Sequence, residues 1–162
     1  RSGQPLFVFF PTISTHTPFT PTPPYQPDWK RILTATPYDA DTLDRAWSQP
    51  PDWLNLGPGY TQALDYIHAT LAGYLRLHAR RDFVMILVGD HQPPAAVSGE
   101  HASWDVPVHV ITSRRELLDR LLQKGFRKGL APTTQPLMKI NAMLPVLLDG
   151  FGEVSSNLAA HR

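Results

Sequence analysis

Asp90 and His91 stand side by side in the run DFVMILVGDHQPP, residues 82–94. An anionic oxygen donor beside a neutral nitrogen donor suits a divalent transition metal such as zinc or manganese. Pro93 and Pro94 stiffen the exit from the turn that carries them. Two ligands do not complete a metal site, and two further histidines are candidates to join them. His16 lies in PTISTHTPF, flanked by hydroxyls and followed two positions on by Pro18. His101 lies in GEHASWDV, ten positions beyond His91. Each has a plainer alternative: His16 as a polar loop residue, His101 as a solvated turn residue. Asp105 and His109 have a D-x-x-x-H spacing, but His109 falls inside a predicted strand, so the pairing reads as chance. His68 and His78 fall on a predicted helix among apolar neighbours, and His161 belongs to the C-terminal tail.

The elements around these residues place them at strand ends. Asp82 and Gly89 bracket six apolar residues, Phe83 to Val88, which predicts a strand buried on both faces, as parallel strands are. In open α/β sheets, ligands bind just beyond the carboxyl ends of the strands. Leu6–Phe10 (LFVFF), ended by Pro11, predicts a second buried strand, which sets His16 past its end. Val106–Thr112 alternates, is β-branched and predicts a third strand. The long stretch from Thr12 to about Pro58 is rich in Pro, Thr, Asp and Trp, with one short helix over Asp41–Trp47 that Thr42 is placed to cap.

Apolar residues at three- and four-residue spacing predict a long helix over Gly59–Arg80. A further helix over Arg114–Lys124 has Ser113 as its cap and Gly125 at its end. Pro136 opens a last helix running to about Leu148 and closed by Gly150. Trp29, Trp47, Trp53 and Trp104 all fall in or beside loops, where they either line a pocket or anchor irregular backbone, anchoring being the preferred reading. The order of elements predicts an α/β fold, a largely parallel sheet flanked by helices. Residues 1–154 read as a single α/β domain, and 155–162 as a frayed tail with little to bury.

Composition narrows the function classes. A net charge of +1 with interspersed charges gives no case for nucleic-acid binding. The absence of cysteine excludes disulfides, thiolate metal sites and a cysteine nucleophile. Proline is the outlier at 17 of 162 residues, about twice the usual share of 5%. No apolar run approaches a membrane span, and no signal-peptide pattern opens the chain. The sequence starts at Arg1 without a methionine and enters an apolar run by Leu6, which reads as a piece of a longer protein.

A strand ending in GDH, preceded by a strand, an S-x-H-x-P-F loop and a Y-x-x-A-L-x-Y-I helix, resembles the alkaline phosphatase/sulfatase superfamily. The nearest likeness is to its membrane-anchored, sulfatase-like branch, which includes lipoteichoic acid synthases and phosphoethanolamine transferases. The likeness runs from about Leu6 to Thr112. It implies that this chain is the C-terminal part of an alkaline-phosphatase-like domain. It also implies a metal-dependent hydrolase or phosphotransferase acting on phosphate or sulfate esters.

Asp90 and His91 would then be metal ligands, and His16 would face the phosphate or its leaving group. His101 would be a further substrate-side histidine. The resemblance implies one divalent ion, zinc or manganese foremost, with magnesium and calcium also found among relatives. It places the parent protein on the extracytoplasmic, periplasmic face of the inner membrane, held by an N-terminal anchor outside this chain, with a lipid or glycan ester as substrate.

Two-metal relatives carry D-x-x-x-H where this chain has Thr12 to His16, so it resembles the single-metal arrangement. The family's carboxylate ligand and its Ser or Thr nucleophile precede the equivalent of Leu6. Taken alone, the chain is therefore expected to be inactive. Two other readings stand beside this one: a non-catalytic sulfatase-like binding domain of a membrane protein, and a small α/β binding module unrelated to that family.

Overall fold

The computed structural model describes residues 6–133 and 135–152. They form two compact units, one from 6–79 and 93–103, the other from 80–92 and 104–152.

The first unit is helical. Helix α1, Ala40–Trp47, starts where the Asp39 carboxylate accepts the Thr42 backbone N–H at 2.8 Å. The cap is thus Asp39 rather than Thr42: an N-cap side chain must reach a donor two or three residues ahead, and Thr42 is itself that donor. Helix α2, Gly57–His78, has Pro58 in its first turn, where a missing N–H costs nothing. Its buried positions include Ala63 and Gly73. Gly73 leaves room for Tyr25 and Trp29, whose indole Nε1 would lie 3.0 Å from a Cβ placed there. Trp29 also packs on Tyr74 at 6.1 Å, and Tyr74 on His78 at 4.3 Å between ring centroids. The helix mirrors its sequence spacing closely. The short helix α3, Ala95–Ser98, completes the unit.

In the second unit, strands β1 (Val84–Val88) and β2 (Val108–Thr112) pair antiparallel, with Val84 opposite Thr112 and Val88 opposite Val108. Pleating sends Val84, Ile86 and Val110 toward Leu117 and Leu121 of helix α4 (Arg115–Gln123) and Leu147 of helix α5 (Met143–Phe151). The other face holds Met85 opposite Ile111 and Leu87 opposite His109. Gly150 lets α5 approach α4: a Cβ there would sit 3.3 Å from both Leu117 Cδ1 and Leu121 Cδ2. Ion pairs and hydrogen bonds staple the periphery. The Arg114 guanidinium donates to both oxygens of Asp82, at 2.9 and 3.0 Å, Lys124 pairs with Asp149, and Arg120 donates to the Gly150 and Gly152 carbonyls at the end of α5.

The expected fold class is therefore corrected. The sheet among the described residues has two antiparallel strands; it is not a largely parallel sheet flanked by helices. The connection from β1 to β2, residues 89–107, is long enough for either direction, so its length did not decide the pairing; the ladder sets Val84 opposite Thr112 and Val88 opposite Val108. The predicted strand Leu6–Phe10 is not one: Leu6, Phe7, Phe9 and Phe10 are 79% exposed or more, and no ladder holds them. Strand hydrogen bonds run between segments, so an apolar β-forming run specifies no partner of its own.

Helix α4 starts on Arg114, with no side-chain cap from Ser113, but Gly125 ends it as expected at φ +96°. The last helix begins at Met143, not near Pro136. The proline that enters its first turn is Pro145, where backbone N–H groups have no intrahelical partner. The expected tail, 155–162, lies outside the described residues. No helix among the described residues is long and apolar enough to cross a membrane.

Candidate functional site

The turn after β1 is built on a close approach. Gly89 donates its N–H to the Pro107 carbonyl at 3.1 Å, and a Cβ at Gly89 would lie 3.2 Å from Val106 Cβ. Glycine suits that close approach, since a Cβ there would oblige Val106 and Pro107 to give by a few tenths of an ångström. Three residues on, Gln92 donates its side-chain amide to the Asp105 carbonyl. Two hydrogen bonds thus pin both ends of the Gly89–Gln92 turn to the segment leading into β2.

Between those pins, Asp90 and His91 project into solvent, with side chains 88% and 60% exposed. Asp90 Oδ1 accepts the His91 backbone N–H at 3.0 Å. His91 Nδ1 lies 2.8 Å from the Gln92 carbonyl oxygen. A carbonyl can only accept, so Nδ1 carries the proton, and in the neutral ring Nε2 is left with its lone pair. That nitrogen faces Asp90 Oδ2 at 3.5 Å. Two acceptors facing one another across this gap are arranged for a cation.

The separation is of the size that two donors to one cation show. Donors about 2.1 Å from a tetrahedral ion lie roughly 3.4 Å apart, and neighbouring donors of an octahedral ion roughly 3.0 Å apart. The observed 3.5 Å is compatible with a tetrahedral zinc ion and equally with calcium, whose bonds of about 2.4 Å put neighbouring donors about 3.4 Å apart. The hydrogen bond from Nδ1 to a carbonyl is the usual way a ligating histidine is oriented. The pair therefore offers two donors to a cation. Among the described residues, no group of three His, Cys, Asp or Glu side chains is placed to hold a metal ion.

His16 and His101 belong to the first unit. His16 repeats the arrangement of His91: its Nδ1 lies 2.8 Å from the Thr17 carbonyl, which leaves Nε2 free on an exposed ring. Its loop is fixed by Phe19, which adopts φ +70°, is 3% exposed and packs edge-on against Tyr60. His101 is exposed and adopts φ +64° just after α3. That backbone suits glycine best, though histidine tolerates it better than β-branched residues do. A groove of about 510 Å³ between α1, α2 and Thr22–Tyr25 is lined by Tyr25, Arg45, Gln62, Asp65 and Tyr66 among others, and by none of the four candidates.

One residue of the turn was missed by sequence reasoning. Gln92 pins the turn, and the only sequence signal for it was an amide directly after the Asp-His pair. Trp104 is 86% exposed, and Trp47 and Trp53 are exposed as well, so the expected anchoring role holds only for Trp29. Compared with known proteins, the chain matches no family model, no curated protein and no solved structure.

Proposed function

We propose that the Gly89–Gln92 turn supplies two ligands, Asp90 and His91, to the zinc site of a hydrolase or phosphotransferase that acts on phosphate or sulfate esters. The observation that carries this reading is the pair itself: Nε2 with its lone pair held 3.5 Å from a carboxylate oxygen, both open to solvent. The resemblance of the GDH and S-x-H-x-P-F motifs adds to it. That support rests on the motifs alone, since the architecture differs from the parallel sheet they suggested.

In this reading Asp90 and His91 hold the ion. A divalent ion so held would lower the pKa of a nucleophile and neutralise charge developing on the transferred group. The resemblance gives His16 and His101 substrate-side roles, in which a histidine would protonate the departing oxygen. The remaining ligands and the nucleophile belong to segments that the resemblance places ahead of the equivalent of Leu6, and the isolated chain is inactive. The parent protein works at the periplasmic face of a membrane on a lipid- or glycan-linked ester.

Zinc titration followed by calorimetry tests the ligand assignment directly. One zinc ion binds per chain, and Asp90→Ala or His91→Ala weakens it roughly tenfold or more, because one of only two donors is gone. His16→Ala leaves the affinity unchanged. Equal zinc affinity in wild type and both ligand variants refutes the assignment. A non-catalytic binding domain is the second reading, and the apolar run Leu6–Phe10, exposed throughout, favours it.

A further inference from the structure

We propose that the groove between α1, α2 and Thr22–Tyr25 binds a free α-amino acid with an aromatic side chain, its carboxylate on Arg45 and its ammonium on Asp65. The groove lies within the first unit and does not depend on the ester reading of the Asp90–His91 turn. On one wall Arg45 and Ala46 precede Gln49 by four and three residues, and on the other Asp65 and Tyr66 follow Gln62 by three and four. Each set therefore shares one helix face. The Gln62 side-chain amide donates to Gln49 Oε1 at 3.2 Å and ties the walls together. Arg45 and Asp65 each stand one helical turn, about 5 Å, from that tie.

The floor is built in advance of any ligand. Thr22 is 6% exposed, and its hydroxyl donates to the Phe19 carbonyl at 3.3 Å. The rings of Pro23 and Pro24 fix the backbone that follows. Tyr25, partly buried, is held with its hydroxyl against Gly73 of α2. Tyr25 and Tyr66 thus present two rings to a groove whose polar groups are few, the usual make-up of a small-molecule site.

The charges select the ligand. Arg45 donates to the neutral Thr42 hydroxyl at 3.3 Å, and neither Arg45 nor Asp65 has an ion-pair partner among the described residues. An exposed pair gains little by closing on itself, so both groups stay available. A simple anion on Arg45 would face the Asp65 carboxylate, and a simple cation on Asp65 would face the guanidinium. A zwitterion satisfies both: its carboxylate accepts the forked guanidinium N–H groups and its ammonium donates to Asp65. With the head group so held, the side chain reaches the floor, where an aromatic ring packs on Tyr25 and Tyr66.

The test uses the whole 162-residue chain, ¹⁵N-labelled, with three probes: phenylalanine, phenylalaninamide and N-acetylphenylalanine. The second lacks the carboxylate and the third the ammonium. Phenylalanine shifts the side-chain amide signals of Gln49 and Gln62 saturably, and each of the other probes binds at least tenfold more weakly. Arg45→Gln weakens phenylalanine at least tenfold and leaves phenylalaninamide unchanged, while Asp65→Asn weakens phenylalanine and leaves N-acetylphenylalanine unchanged. Both residues are exposed, and circular dichroism checks that each variant keeps the helices. Equal binding of the three probes, no saturable shift, or unchanged phenylalanine affinity in either variant overturns the site. Tighter binding of a phenylalanine-containing dipeptide than of phenylalanine overturns the amino-acid assignment in favour of a peptide.

Discussion

Leu121→Ala tests whether the candidate turn is held by the small core beneath it. Leu121 is 2% exposed and sits with Leu117 and Leu147 against Val84, Ile86 and Val110, so it supports both strands. Truncation to alanine removes three carbons, and at about 0.8 kcal/mol per buried methylene that is about 2.4 kcal/mol. The cavity adds to this. Phe126 and Met143, both partly buried beside the site, can move in to fill part of it, so the total comes to about 3 kcal/mol. A tenfold change in an equilibrium corresponds to about 1.4 kcal/mol, so amide exchange of Val84–Val88 and Val108–Thr112 through unfolding rises roughly a hundredfold. Hydrogen exchange read residue by residue gives that number, and urea denaturation gives the stability loss independently. Exchange in β1 within a factor of five of wild type would show that α4 does not hold the strand, and the description of the core would be wrong.

Other perturbations probe separate parts of the molecule. The Arg114 guanidinium holds the Asp82 carboxyl below its ordinary value, chiefly by hydrogen bonding, and Lys124 does the same for Asp149. Because the folded values are depressed, this stability is present above the ordinary carboxylate range and is lost as pH falls through the folded values. Both carboxylates are exposed, so the effect is small and screened by salt. Acid titration of Arg114→Met, followed by circular dichroism, should show a shallower loss of stability below the carboxylate range than wild type, and an identical acid profile would count against the pair. Gly73→Ala places a methyl against the Tyr25 hydroxyl and Trp29, which costs roughly 2 kcal/mol by overpacking. Chemical denaturation measures the loss, and a neutral or stabilising result would mean that α2 and Trp29 are not in the contact described.

What the sequence settled by itself was what depends on near neighbours in the chain. The apolar spacing of α2 and α4 and the left-handed glycine at Gly125 follow from backbone sterics within a few residues, and both were legible. So were the apolar runs of β1 and β2 and the juxtaposition of Asp90 and His91, which are adjacent by covalent connection. Helix starts were less legible, because several polar residues in a row compete to cap: Asp39 took the role given to Thr42, and Ser113 left its own unfilled. Tertiary structure alone decided what depends on a partner. Whether an apolar run becomes a strand, and in which direction it pairs, is fixed by hydrogen bonds to a distant segment; β2 found one in β1, and Leu6–Phe10 did not. The same holds for the candidate site. Its residue types were written in the chain, but the carbonyl that sets the His91 tautomer and the Gln92 tether emerged only when backbone and side chains were folded into place.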